Sequence, residues 1–219
     1  MGECMKKGYF LLIFLISLYA IGIVKATTLP LLGKVIYLDP GHGGKDPGAV
    51  WGNTYESDIN LQLCLSLQME LEKNGAIVYL TRYGDYDLSA NNAMLRKRSD
   101  LSRRVNIINR SLADLYLSIH LNADVSSTWK GAQVFFDDIN PKNEEIAKVL
   151  QEQFRKDLNT NRDCKNINDH YLYSRVNIPG VLIEAGFISN DNERYLLKQT
   201  EYQQKVSKTI VKGIVNYFA

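Results

Sequence analysis

The sequence predicts an α/β domain, a sheet with helices on both faces. Short apolar runs ended by Pro, Gly or Asp alternate along the chain with longer segments whose apolar residues recur at helical spacing. A sheet covered by helices on either side satisfies that alternation. No internal repeat, low-complexity tract or linker interrupts the 219 residues, a length that suits one domain. A composition of 45% hydrophobic and 23% charged residues is that of a globular chain, so collagen-like, coiled-coil and disordered readings fall away.

The elements follow in order. Lys34–Leu38 is a β-branched run stopped by Asp39-Pro40-Gly41, a strand meeting a breaker. Ser57 to Asn74 is rich in Leu, Met and Glu, and Asn74-Gly75 closes it as a helix C-terminus. Ala76–Leu80 is a second strand. Leu101, Val105, Ile108 and Leu112 recur at helical spacing, with Arg103, Arg104 and Asn106 between them. Leu115–Ile119 is a strand leading into His120, and Ala132–Phe136 is another. Asn140-Pro141 reads as an N-cap with Pro at the first helical position, ahead of a helix marked by Ile146, Val149, Leu150, Phe154 and Leu158. Val181–Ile183 is a buried strand. Asn190-x-x-Glu193 resembles a capping box that opens the helical C-terminal part, where Val206, Ile210, Ile214 and Phe218 form one stripe.

Residues 1–26 stand apart. Lys6-Lys7 precedes an uncharged run from Gly8 to Val24, then Val24-Lys25-Ala26, the pattern of a basic n-region, an apolar h-region and a small-residue cleavage site. The run is also close to the minimum that spans a bilayer, so the segment reads as a signal peptide or as an N-terminal membrane anchor, exporting the domain of residues 27–219 either way. Lys and Arg number 26 against 24 Asp and Glu, and Lys6, Lys7 and Lys25 against Glu3 account for the whole surplus. A balanced body argues against a nucleic-acid partner. Beyond the leader only Cys64 and Cys164 remain; they leave one bridge open but make no disulfide framework.

The chemistry gathers where strands end. The first strand leads to His42, Leu115–Ile119 leads to His120, and Val181–Ile183 leads to Glu184. Ligands of open α/β sheets collect outside the carboxyl ends of the strands. If these three strands are parallel neighbours, their side chains converge, and Glu56, at the mouth of the first helix, folds back to the same place. Two imidazoles and a carboxylate form a zinc set with a coordination position left open. All-oxygen shells suit magnesium and calcium better. Glu184 is then the group to take a proton from water and hand it to a leaving amine. The alternative is Glu184 as a fourth ligand in a closed structural site, but structural zinc is dominated by Cys, which favours the catalytic role. Asp39, Asp46 and Asp58 are near enough in sequence to support the ligands, and turn chemistry accounts for them equally. Trp129 either stacks on a sugar or covers a loop. Arg96-Lys97-Arg98 is a solvated helix face, or a contact for a substrate carboxylate. His170 is read as a loop histidine without a role.

Asp39-Pro40-Gly41-His42-Gly43-Gly44, Glu56 with Asn60, and Thr81-Arg82-x-x-Asp85 resemble the zinc-dependent N-acetylmuramoyl-L-alanine amidases of the amidase-3 family. Leu101-x-x-Arg104 with Asn109, Asp114-x-x-x-Ser118-Ile119-His120-x-Asn122-Ala123 and Ile183-Glu184-x-Gly186-Phe187-x-Ser189-Asn190 extend the resemblance over roughly residues 33–217. It implies a twisted, mostly parallel sheet of roughly six strands. It also implies hydrolysis of the amide between the lactyl group of N-acetylmuramic acid and L-Ala of the stem peptide. Zinc would sit on His42, Glu56 and His120, Glu184 would be catalytic, and Asn122 and Trp129 are candidate substrate contacts.

Arg96-Lys97-x-x-Asp100-Leu101, Trp129-x-Gly131-Ala132-Gln133 and Tyr202-Gln-x-Lys205-Val206 are similar to the germination-specific branch of that family, which acts on spore cortex on the way to muramic-δ-lactam. In some family members an inserted helix blocks the zinc; Asn122 to Gly131 is too short for one. The expectation is an open site in the cell-wall or cortex space. It would act on glycan strands with stem peptides, without a wall-binding module, under the control of expression, location, metal loading or a regulatory partner protein. Arg175 stands one place off the family's basic position and is assigned no role.

Overall fold

The computed structural model describes residues 28–167 and 173–219; the leader and His170 lie outside them. The chain runs β1 (Val35–Pro40), β2 (Val50–Trp51), β3 (Thr54–Tyr55), α1 (Glu56–Lys73), β4 (Ile77–Leu80), α2 (Arg96–Arg110), β5 (Leu115–Asn122) and β6 (Gln133–Phe136). It continues with α3 (Lys142–Leu158), β7 (Lys165–Asn166), β8 (Gly180–Phe187), α4 (Asp191–Leu197) and α5 (Thr200–Phe218). Six strands form one sheet in the order β4-β1-β5-β8-β6-β7, and β2 and β3 form a separate hairpin. β4, β1, β5 and β8 are mutually parallel, whereas β6 runs antiparallel to β8. The expected fold class is the observed one.

Strand periodicity divides the core. On one face Leu38, Leu115, Leu117, Ile119, Val181 and Ile183 meet the apolar stripes of α1 (Ile59, Leu63, Leu67, Leu71), α3 (Ile146, Leu150, Phe154) and α5 (Val206, Ile210, Ile214). Alternate residues face the other way: Tyr116 and Leu182 pack with Val105 and Ile108 of α2 in a smaller cluster. Asp39, Ser118, His120 and Glu184 share that second face by strand parity. Among the described residues α2 packs over it, and His120 and Glu184 at its end are only partly buried.

Several element ends depart from the sequence reading: Leu112, expected on the stripe of α2, lies past its end with φ 54° and 89% exposure, and Pro141 rather than Asn140 occupies the cap position of α3. Asn190 caps α4 by accepting from Glu193 N at 3.1 Å, but the Glu193 carboxylate does not return the bond. It accepts instead from Phe187 N (2.7 Å) and Gly131 N (2.9 Å), tying the loop after β5 to the end of β8. Arg104, which spacing sets among the polar residues of α2, is 1% exposed. Cys64 and Cys164 are both free, and burial pushes the Cys64 thiol well up. Among the described residues no helix is long and apolar enough to cross a membrane.

Candidate active site

β1 carries the chain to the sheet edge, and at His42 it turns through a left-handed conformation (φ 61°) that costs a non-glycine residue on the order of 1 kcal/mol. Two buried guanidinium groups hold the turn. Arg82 donates to the carbonyls of Pro40 (3.0 Å), Gly41 (3.0 Å) and Ser57 (2.8 Å). Arg104 donates to Pro40 O (2.8 Å) and His42 O (2.6 Å), and to the carboxylates of Asp39 (2.7 Å) and Asp100 (2.8 Å). Gly41 is required by crowding: a Cβ there would lie 2.2 Å from the His120 ring.

Glu56 is the first residue of α1 and is buried. Its Oε1 lies 3.3 Å from His42 Nε2 and 3.0 Å from His120 Nδ1, and also accepts from Leu121 N at 3.1 Å. Oε2 accepts from Ala49 N at 2.8 Å. Burial opposes charge on Glu56, yet the two imidazoles hold its carboxyl far below the usual range. His42, Glu56 and His120 each offer a ligand atom, all within 4.8 Å of one another. Ligand atoms bonded at 2.0–2.2 Å to one tetrahedral ion stand roughly 3.4 Å apart, so the donor set fits a divalent metal. Outside it, His42 Nδ1 meets Asp46 Oδ2 at 2.9 Å, which fixes the ring and leaves Nε2 facing inward. Asp46 thus holds the His42 ring, Asp39 serves the buried arginine network, and Asp58 is exposed on the first turn of α1.

His120 and Glu184 are register partners on adjacent parallel strands. Glu184 Oε2 is buried and has no hydrogen-bond partner among the described residues. Burial, reinforced by the charge of Glu56, pushes the Glu184 carboxyl up to about 8. His42, Glu56, His120 and Glu184 line one cavity of about 300 Å³, together with Asn122 and Lys97. Trp129 is 53% exposed on the loop after β5, outside that lining, with the Arg162 guanidinium 5.2 Å from its ring centre. The loop from Ala123 to Ala132 contains turns and no helix. The part of the site that sequence reasoning missed is the arginine clamp. Its signal was present in Asp100, Arg104 and Ile108, three residues at i, i+4 spacing on a helix stripe that is otherwise apolar.

Residues 36–216 match the family model of the N-acetylmuramoyl-L-alanine amidases. The chain is 47% identical over 198 residues to the germination-specific N-acetylmuramoyl-L-alanine amidase of Bacillus subtilis (strain 168), covering 89% of this chain and 84% of that one. It is similar to the CwlD amidase of Clostridioides difficile, solved in complex with the GerS lipoprotein, with a TM-score of 0.80 and 40% identity over 84% of this chain and 98% of that one. The catalytic domain of CwlV, an amidase of Bacillus (Paenibacillus) polymyxa var. colistinus, gives a TM-score of 0.73 at 30% identity, covering 84% and 97%. Convergent metal-type donors beside an unpartnered acid, on this sheet and with these relatives, make the chain a member of the amidase-3 family and an N-acetylmuramoyl-L-alanine amidase.

Proposed function

We propose that this amidase works with zinc, held by His42, Glu56 and His120. It hydrolyses the lactyl–L-Ala amide of spore-cortex peptidoglycan as a step toward muramic-δ-lactam. The observation that carries the reading is the buried, unpartnered Glu184 Oε2 beside three converging donors. The chemistry zinc supplies when bound is polarisation of a carbonyl and acidification of water. Glu184 accepts the proton of the attacking water at Oε2 and returns it to the departing L-Ala nitrogen. Asp46 keeps His42 oriented. Asn122 on the cavity wall and the exposed ring of Trp129 are the substrate contacts.

The similarity to the germination-specific amidase supports the cortex as substrate. The complex of the C. difficile relative with a lipoprotein supports a regulatory partner protein. Residues 1–26 export the catalytic domain of residues 27–219 into the wall or cortex space and, where retained, tether it to the membrane.

Purified protein supplied with zinc is incubated with spore cortex and with vegetative sacculi, and the fragments are identified by mass. Release of intact stem peptides, faster from cortex, is the expected result. Release of D-Ala alone would mean a peptidase, and equal release from both walls would remove the cortex assignment.

A further inference from the structure

Beside the cavity that holds the donor set, a second hollow of about 240 Å³ shares Asp46, Lys97 and Asp100 with it and is walled further by Lys45, Asp87 and Arg96. Its charges are not evenly spent. Asp46 is engaged by His42 Nδ1 (2.9 Å) and Gly48 N (3.1 Å). Asp87 takes both its oxygens to Arg96 Nη2, at 2.9 and 2.7 Å. Asp100 accepts from Arg104 Nε (2.8 Å) and Leu88 N (2.7 Å). Lys45 and Lys97, by contrast, are exposed, and among the described residues neither makes an ion pair within 4.0 Å. Lys97 influences Asp46 only at longer range. Two lysines without an ion pair among the described residues therefore line a hollow whose carboxylates are already committed.

We propose that Lys97, assisted by Lys45, binds a free carboxylate of the stem peptide, and that the enzyme thereby discriminates peptides bearing an α-carboxylate on the second residue from those in which that group is an amide. The inference rests on the amidase reading and names the part of the substrate that this side of the site selects. Cleavage of the lactyl–L-Ala amide fixes L-Ala at the donor set. The next residue lies one extended step of about 3.5 Å along the chain, and Lys97 lines the same cavity as the donor set. A glutamate joined through its γ-carboxyl presents its α-carboxylate there. An ammonium on a flexible stem meets such a group as a point charge without demanding one bidentate pose, which suits a substrate embedded in a polymer. Charge-assisted hydrogen bonds of this kind discriminate by about tenfold or more over a neutral amide.

The test uses the zinc-loaded full chain and two glycan-strand substrates that differ only at the second stem residue, γ-linked glutamate in one and isoglutamine in the other. The expected result is a kcat/KM about tenfold higher for the carboxylate substrate, with the difference residing in KM. Lys97→Ala, and more fully Lys97→Ala with Lys45→Ala, brings the ratio of the two substrates close to one. Lys142→Ala, which removes an equal charge from the exposed start of α3, keeps the parental ratio. Equal kcat/KM on both substrates in the parent, or a ratio that survives the double variant, overturns the inference and leaves the amidase reading standing. Absence of stem-peptide release from either substrate overturns both. The substituted lysines are exposed, and matching thermal midpoints verify that the variants fold.

Discussion

Arg82 and Arg104 donate to the same backbone oxygen, the carbonyl of Pro40, at 3.0 and 2.8 Å. Two cations buried to 0% and 1% exposure thus converge on the residue that delivers His42 to the site. Arg104 has the carboxylates of Asp39 and Asp100 to balance it, and their charges raise its own affinity for the proton further. Arg82 is satisfied mainly by carbonyls, and burial together with the neighbouring Arg104 lowers its pKa. The pair turns an otherwise strained loop into a rigid platform for a ligand.

Removing one member of that network leaves a buried charge unmatched. Arg104→Met is expected to destabilise the fold by about 3–5 kcal/mol, read from the urea midpoint, because Asp39 loses its counter-charge. Arg104→Lys recovers little, since one ammonium cannot reach Asp39, Asp100, Pro40 and His42 together.

The same network sets a pH dependence. Burial alone would raise the Asp39 carboxyl, but the Arg104 charge and the hydrogen bond from Thr81 (2.6 Å) hold it below its ordinary value. A carboxyl held low in the fold contributes stability above the unfolded value of about 3.9 and loses it as pH falls through the folded value. The acid limb of the unfolding free energy is therefore expected to be shallower in Asp39→Asn than in the parent. Equal slopes below pH 4 would contradict this assignment.

Metal binding and turnover separate by variant. Glu184→Gln is expected to retain zinc, measured by elemental analysis after dialysis, while kcat falls by about 10²–10⁴. His120→Ala is expected to lose zinc and activity together, because one of the three proposed ligands is gone.

Support of the ligands from outside is tested at Asp46. Asp46→Asn removes the carboxylate from His42 Nδ1 and is expected to weaken zinc about 10–100-fold in a chelator competition. The glutamate proton step is untouched, so kcat at saturating zinc changes less than zinc affinity does.

Gly48 and Gly52 form a matched pair, both at positive φ (69° and 58°). A Cβ at Gly48 would meet Glu56 Oε2 at 2.5 Å and the His42 ring at 2.7 Å, whereas at Gly52 nothing lies within 4 Å. Each alanine substitution costs about 1–2 kcal/mol of backbone strain. Gly48→Ala alone is expected to lower zinc affinity as well, by displacing Glu56 and His42, two of the proposed ligands.

Much of this molecule is written locally. Alternating apolar runs and helical stripes specify the elements of the sheet sandwich, because burial demands a period of two from strands and 3.6 from helices, and both are visible without a partner. The residue types at the strand ends, His42, His120 and Glu184, were legible as two metal-type donors and an acid. Convergence was a different matter. That β1, β5 and β8 are adjacent and parallel, with His120 opposite Glu184, is a property of strand order, which depends on how three helices share one face of the sheet. The burial of Arg104 showed only as a charge at stripe spacing, which reads as solvated until packing brings Asp39, Asp100 and the carbonyls of Pro40 and His42 to it. Local preference acts over one turn or one pleat. Long-range pairing alone decides which charges leave water, and with them the geometry of the site.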